Sequence, residues 1–222
     1  MNSGFSIIMP NYNSKLFKKS IVSVINQSYK DWELIIIDNY SKNRPEEIVK
    51  KFKNQKIFFY SFNNGNNIAK SRNFGISKSK FKWIAFLDSD DLWEKDKLKI
   101  VKENIDKYEP DLLYHGMYYL PKFMGIIQKE IKNKSREVQK PIYKSLIVDG
   151  NGIANSSVVV KKDLIKRIGY ISEDPKKFSW EDYDCWIRCA RETNNFFFIP
   201  TILGYCWVGG GNISNLDQTY VN

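Results

Sequence analysis

The chain has 222 residues, of which 42% are hydrophobic and 15% aromatic, and it carries a net charge of +10. That is enough for one domain with a sizeable core and too apolar for a disordered chain, and no apolar run approaches the roughly 20 residues that span a bilayer. Three cysteines and one histidine, with no signal-peptide pattern after Met1, predict reduced thiols and a cytoplasmic setting, and argue against a Cys/His zinc site or a Ser-His-Asp triad.

Phe5 to Met9 reads as a strand closed by the turn Pro10-Asn11-Tyr12-Asn13. Asn13 or Ser14 is expected to cap a helix in which Phe17, Ile21, Val24 and Ile25 recur at helical spacing. Leu34 to Ile37 is a second strand and ends in Asp38. Pro45 suits a first helical turn, with the helix running to about Phe52. Ile57 to Phe62 is a third strand, followed by the loop Asn63 to Asn67 and a helix from Ile68 to Ser77. Trp83-Ile84-Ala85-Phe86-Leu87 is then a buried strand that stops at Asp88-Ser89-Asp90-Asp91. Strands alternating with helices across short loops imply a mainly parallel sheet covered on both faces. Its polar strand ends, Pro10-Asn11-Tyr12, Asp38 and Asp88/Asp90, converge on the crevice where such sheets bind ligands.

Asp88 and Asp90 lie two residues apart, on the same side of an extended segment. Two oxygen donors so placed suit a hard divalent cation that also coordinates a diphosphate. The alternative is that Asp90 or Asp91 caps the helix expected from Lys95 to Tyr108. Leu112 to Tyr119 follows as a strand, and the segment 120–141 lacks periodicity and reads as a loop or hairpin. Ile142 to Val148 is a short helix, Gly150-Asn151-Gly152 a loop, and Ser156 to Val160 a β-branched strand. Lys162 to Ile168 is a helix ending at Gly169. Ser179-Trp180-Glu181-Asp182 fits a capping box opening a helix to about Glu192. Phe196 to Ile199 and Ile202 to Trp207 are closing strands, with Gly209-Gly210-Gly211 behind them. There is no internal repeat, and one compact domain is expected.

Lysine-rich codon use accounts for most of the positive charge. The local excess at Lys129, Lys132, Lys134, Arg136, Lys140 and Lys144 is the part placed to touch a membrane surface peripherally. No G-x-G-x-x-G follows an early strand and no P-loop occurs. A nucleotide would be held by side chains at strand ends, with a metal neutralising its diphosphate.

Taken in order, these motifs resemble inverting glycosyltransferases of family 2, which have the GT-A fold. Phe5-Ser6-Ile7-Ile8-Met9-Pro10-Asn11-Tyr12-Asn13 resembles that family's opening strand and turn, and Glu33-Leu34-Ile35-Ile36-Ile37-Asp38-Asn39 its second strand. Asn64-Gly65-Asn66-Asn67-Ile68-Ala69-Lys70-Ser71-Arg72-Asn73-Phe74-Gly75 is similar to its G-x-x-x-A-R-N-x-G segment. Leu87-Asp88-Ser89-Asp90-Asp91 is similar to its D-x-D motif, Asn155-Ser156-Ser157 to its acceptor half, and Trp180-Glu181-Asp182-Tyr183 to its E-D motif. The likeness covers nearly the whole chain. It implies one α/β GT-A domain over 1–222, with residues 1–119 binding the nucleotide sugar and 120–222 the acceptor. It also implies that Asp38 contacts uracil, Pro10 and Tyr12 line base and ribose, and Arg72 and Ser89 join the nucleotide contacts. Asp90, with Asp88, would bind Mn²⁺ or Mg²⁺; Asp182 would be the general base and Glu181 an acceptor contact. The expected partners are a UDP-sugar donor and a glycan or lipid-linked acceptor hydroxyl, with no nucleic acid. Two features depart from the family: Asn39 follows Asp38 where a second aspartate is common, and Tyr205-Cys206-Trp207-Val208-Gly209 lacks the late arginine and histidine. Trp207 or the glycine loop is left to cover the diphosphate. The rival readings are a sugar nucleotidyltransferase, which usually has a glycine-rich loop after its first strand, and a basic module whose binding is sensitive to salt.

Overall fold

A computed structural model describes residues 4–120, 135–177 and 179–207. Eight strands form one mixed sheet: β1 Phe5–Asn11, β2 Trp32–Asp38, β3 Ile57–Ser61, β4 Trp83–Phe86, β5 Leu92–Trp93, β6 Leu112–Leu120, β7 Val159–Lys161 and β8 Phe196–Trp207. Their order is β3-β2-β1-β4-β7-β6-β8-β5. The first four are mutually parallel; β7 runs antiparallel to both β4 and β6, and β6 and β8 are parallel. The seven helices are α1 Phe17–Ile25, α2 Pro45–Lys50, α3 Ile68–Lys78, α4 Lys97–Tyr108, α5 Ile142–Asp149, α6 Lys162–Arg167 and α7 Glu181–Glu192.

Strand periodicity divides the core between the two faces of the sheet. Phe5, Ile7, Met9, Leu34, Ile36, Trp83 and Ala85 pack under α1, α2 and α4. Ile8, Ile35, Ile37, Ile84 and Phe86 face α3, α5, α6 and α7. Because the central strands are buried on both faces, their sequences are continuous apolar runs instead of alternating ones. Pro10 fits in β1 because β4 pairs only as far as Ile8. A residue without an N–H is therefore tolerated where the neighbouring strand has already diverged.

Several boundaries differ from the sequence reading. α1 has Leu16 at its N-cap and no side-chain cap; Ser14 Oγ accepts the Leu16 N–H but also donates to the Ser89 carbonyl. Neither Asp90 nor Asp91 caps α4, which begins at Lys97 behind Asp96. Asp91 instead accepts the Trp207 N–H, and the two-residue strand β5 intervenes. β5 is too short for any periodic signal, and Gly204 lets it approach, since a Cβ there would lie 2.9 Å from the Leu92 carbonyl oxygen. The capping box at Ser179 is absent: Trp180 is the N-cap without a side-chain bond, and Ser179 has φ 66°. Residues 155–157 form a 3₁₀ turn ahead of β7. The two closing strands are one, because β8 bulges past Pro200 and Thr201 between the pairs Ile199–His115 and Ile202–Gly116. Lys129, Lys132, Lys134 and Gly209 to Gly211 lie outside the described residues. No helix among the described residues is long and apolar enough to cross a membrane.

Candidate active site

β1 and β2 are in register, so Asn11 and Asp38 end side by side. Asp38 Oδ1 accepts Asn11 Nδ2 and Ser41 Oγ, each at 2.6 Å, and its Oδ2 accepts the Ser41 N–H at 2.9 Å. The carboxylate is buried and fastens the loop after β2 to the end of β1. Pro10 is buried as well, whereas Tyr12 and Tyr40 stand 60% and 63% exposed at this edge. Exposed aromatic rings thus stand at the edge where a buried, internally bonded carboxylate ties two strand ends together. The second carboxylate missing beside Asp38 has an internal use for its replacement: Asn39 Oδ1 accepts the Asn64 N–H at 3.2 Å.

The turn after β4 is held from three directions. The Asp88 N–H donates to Ser156 Oγ at 3.0 Å, and the Asp91 N–H closes the turn on the Asp88 carbonyl at 3.0 Å. The carbonyl of Ser89, itself buried, accepts both Ser14 Oγ and Ser20 Oγ at 2.8 Å. Behind it, Trp93 Nε1 donates to the Ser156 carbonyl at 2.8 Å, and Trp207 is joined to Asp91 through its N–H at 3.0 Å. Ser20 escaped the sequence reading, which took Ser14 only as a helix cap and Ser156 only as a strand start within the acceptor-half motif, because a serine carries no periodic or charge signal of its own. The visible hint was Ser156 beside Ser157 at the head of a β-branched run.

Arg72 joins this turn to the start of α7. Its Nη2 donates to Asp88 Oδ1 at 2.9 Å and its Nη1 to Glu181 Oε1 at 2.6 Å, with the guanidinium side chain only 3% exposed. Asn155 Nδ2 adds a second donor to Asp88 Oδ1, at 3.1 Å. Burial alone would lower the Arg72 pKa, but Asp88, Glu181 and Asp182 outweigh it and hold the group above its ordinary value. Asp182, next along α7, accepts the Tyr183 N–H at 2.7 Å. Burial raises its pKa, Arg72 opposes that, and Glu181 and Asp88 push the same way as burial, leaving it at about 6. Glu181 Oε2 is a buried acceptor without a hydrogen-bond partner among the described residues. Arg72 is therefore engaged by two carboxylates, and through it Glu181 meets the Asp88 turn, with Asp182 within reach of its charge.

The oxygen donors at this turn suit a hard cation. Asp88 Oδ1 is occupied by Arg72 and Asn155, so Asp88 would offer its other oxygen and Asp90 a second carboxylate. No group of three or more Asp, Glu, His or Cys side chains is placed to hold a metal ion among the described residues. The set therefore fits Mg²⁺ or Mn²⁺ only when diphosphate oxygens and water complete the coordination. His115 is not available: it is fully buried, with Nδ1 2.9 Å from its neighbour's carbonyl. The three cysteines are buried thiols.

The sheet order, with acidic turns gathered at one edge and no glycine cradle for phosphate among the described residues, is that of the GT-A class of glycosyltransferases. Staphylococcus aureus TarS 1–349 in complex with UDP-GlcNAc matches over 96% of this chain and 61% of that one, with a TM-score of 0.77 and 22% identity. The mannosyltransferase PcManGT from Pyrobaculum calidifontis, in complex with GDP-Man and Mn²⁺, matches over 94% and 57%, with a TM-score of 0.67 and 16% identity. The chain thus spans about three fifths of these solved chains, and the likeness establishes the fold.

Residues 6–168 match the profile of glycosyl transferase family 2, and the chain belongs to that family. An uncharacterized glycosyltransferase of Methanocaldococcus jannaschii is 32% identical over 206 residues, 89% of this chain and 68% of that one. The UDP-Glc:alpha-D-GlcNAc-diphosphoundecaprenol beta-1,3-glucosyltransferase WfgD of Escherichia coli is 30% identical over 193 residues, covering 85% and 70%.

Proposed function

We propose that this glycosyltransferase moves a sugar from a UDP-sugar to an acceptor hydroxyl with inversion, in the assembly of a glycan or polysaccharide. The observation that carries this reading is the Asp88–Arg72–Glu181 bridge. It ties a carboxylate turn suited to a diphosphate to a helix start whose Asp182 has a pKa near neutral. The residue 1–119 half holds the nucleotide and the 120–222 half the acceptor, both built on one sheet. Tyr12 stacks on the base, Asp38 accepts from the uracil ring, and Pro10, Ser89 and Trp207 frame the nucleotide without free side-chain charge. A relative named for a UDP-Glc donor and a diphosphoundecaprenol-linked acceptor, and a fold neighbour holding UDP-GlcNAc, support a uridine donor and a lipid-linked acceptor.

In the reaction, the acceptor oxygen forms its bond to the anomeric carbon from the face opposite the diphosphate. The bond from that carbon to the diphosphate oxygen breaks, and UDP leaves with the bonding pair. The hydroxyl proton passes to Asp182, a base poised close to working pH. Glu181 Oε2 receives a neighbouring acceptor hydroxyl and orients it. No second carboxylate is required, unlike the nucleophile of retaining hydrolysis. Mg²⁺ or Mn²⁺ held by Asp88 and Asp90 would supply Lewis-acid neutralisation of the diphosphate.

A panel of nucleotide sugars screened by thermal shift with Mn²⁺, followed by transfer assays on the strongest binder, tests the reading. UDP-sugars should stabilise the chain, EDTA should remove most of the effect, and Asp90→Ala should abolish it. Equal UDP affinity by calorimetry with Mn²⁺ and with EDTA would remove the metal from the proposal. A panel without any binder would remove the donor.

A further inference from the structure

We propose that the face formed by α5 and the first turn of α7 docks on an anionic phospholipid bilayer. At about 100° per residue, Tyr143, Ile147, Lys144 and Val148 fill an arc of about 140° on α5. Ile142, Ser145 and Leu146 occupy the opposite, buried side. The outward arc is apolar where solvent would favour polar groups: Ile147 is 53% exposed and Val148 70%. Trp180 extends the patch from α7. Its ring lies 5.9 Å from Tyr183, whose hydroxyl donates to the Leu146 carbonyl on α5, and it is 61% exposed.

Charge supplies the occupant. Lys144 is exposed within this arc and Lys140 is exposed two residues ahead of α5, and Arg136 caps the C-terminal end of α5 through the carbonyls of Asp149 and Gly150. The acidic groups on these elements are Glu137 and Asp149 beside α5 and Glu181, Asp182 and Asp184 in the first turn of α7; Asp149 accepts the Ser145 hydroxyl at 2.7 Å, Glu181 is paired with Arg72, and Asp184 with Lys177 and Arg188. A short helix with aliphatic and aromatic residues set among lysines has the composition of an element lying in a headgroup layer. Trp suits that depth because its ring is apolar and its N–H polar. The face adjoins Asp182 in sequence, so docking would hold the start of α7 beside a membrane-borne acceptor. The inference goes beyond the transfer reaction and does not depend on which donor is used.

The test is co-sedimentation with phosphatidylcholine vesicles, with and without phosphatidylglycerol. The chain should pellet only with the anionic vesicles. The pair Ile147→Glu, Val148→Glu and, separately, the pair Lys140→Glu, Lys144→Glu should each reduce the bound fraction about tenfold or more. The pair Lys18→Glu, Lys19→Glu on α1, under the opposite face of the sheet, should leave it unchanged. Unaltered melting temperatures and UDP affinity would show that the variants are folded. Failure of the unmodified chain to pellet would overturn the proposal, as would equal loss in the α1 variant, which would make the attraction diffuse charge. So would a dimer that the Ile147/Val148 variant dissociates without any vesicle binding. Absence of UDP binding by the unmodified chain would count against the transferase reading and leave the vesicle result standing.

Discussion

A guanidinium with almost no solvent contact is stable only while both of its carboxylates remain ionised and in place. Removing it would leave Glu181 and Asp88 uncompensated, so Arg72→Met should lower unfolding stability by about 3–5 kcal/mol in denaturant titrations. Arg72→Lys should restore little, because one ammonium cannot reproduce a fork that reaches two side chains at once. Arg72 is also the strongest influence holding the pKa of Asp182 down against its burial. In Arg72→Met, the acid limb of the kcat/KM profile should therefore move to higher pH. In the unmodified enzyme that limb should fall about tenfold per pH unit below about 6, as the base takes up its proton. Asp182→Asn should lose transfer by at least about a hundredfold while keeping UDP affinity. The same residue carries a stability signature. Its pKa is raised from 3.8 to about 6 on folding, so its stabilising contribution is full below the unfolded value and lost as pH rises through about 6. Asp182→Asn should accordingly be more stable than the parent at pH 7.5, by roughly 1–3 kcal/mol, with the difference vanishing near pH 4. A variant less stable at both pH values would contradict that sign.

Among the elements, α3 sets where Arg72 can reach, and Gly75 sets how closely α3 lies on the sheet. A Cβ at Gly75 would come within 2.6 Å of Ile37 Cδ1 and 2.7 Å of Ile8 Cγ2. Gly75→Ala should therefore destabilise by about 1–2 kcal/mol, since overpacking outweighs the gain in helix propensity. α4 carries a different liability. Lys97 is completely buried, its Nζ 3.5 Å from the centre of the Trp93 ring and without a hydrogen-bond partner. Burial holds its pKa well below the ordinary value of 10.5. Burial first and the Lys97 charge second push His115 down to about 3. Lys97→Met keeps the stem and removes the desolvated amine, so it should raise Tm at pH 7. That advantage should shrink as pH rises toward 10.5, because the unfolded lysine then also loses its proton; a constant or growing advantage would show that burial of the amine is not the cause.

At the level of the whole chain, the two core clusters are the two faces of one sheet, because residues such as Ile7 and Ile8 serve opposite sides of one strand. Calorimetry should accordingly show one unfolding transition, and UDP with Mn²⁺ should shift all of it. Two separated transitions would instead give the nucleotide and acceptor halves independent stability.

The carboxyl-end carboxylates, the apolar strands and the helix periodicities were all readable from residue order. Each is a local pattern: a continuous run such as Leu34 to Ile37 has one comfortable place in a sheet buried on both faces. The motif order carried the family, because a dozen residue types in sequence are more specific than any single contact. Pairing across long separations was not readable. Nothing local to Pro200 announces that β8 continues past it, nor does a two-residue strand at Leu92 announce its partner at Tyr205. The pairing of Arg72 with Glu181, 109 residues away, is of the same kind. Sequence placed a cation in one motif and carboxylates in two others. The tertiary packing of α3 against β1 and β2, and of α7 against the same face, brought them into one ion network. Packing also added what residue type alone leaves open: Asp38 and Asp91 accept bonds that tie loops together, and burial pushes the Asp182 pKa up to about 6.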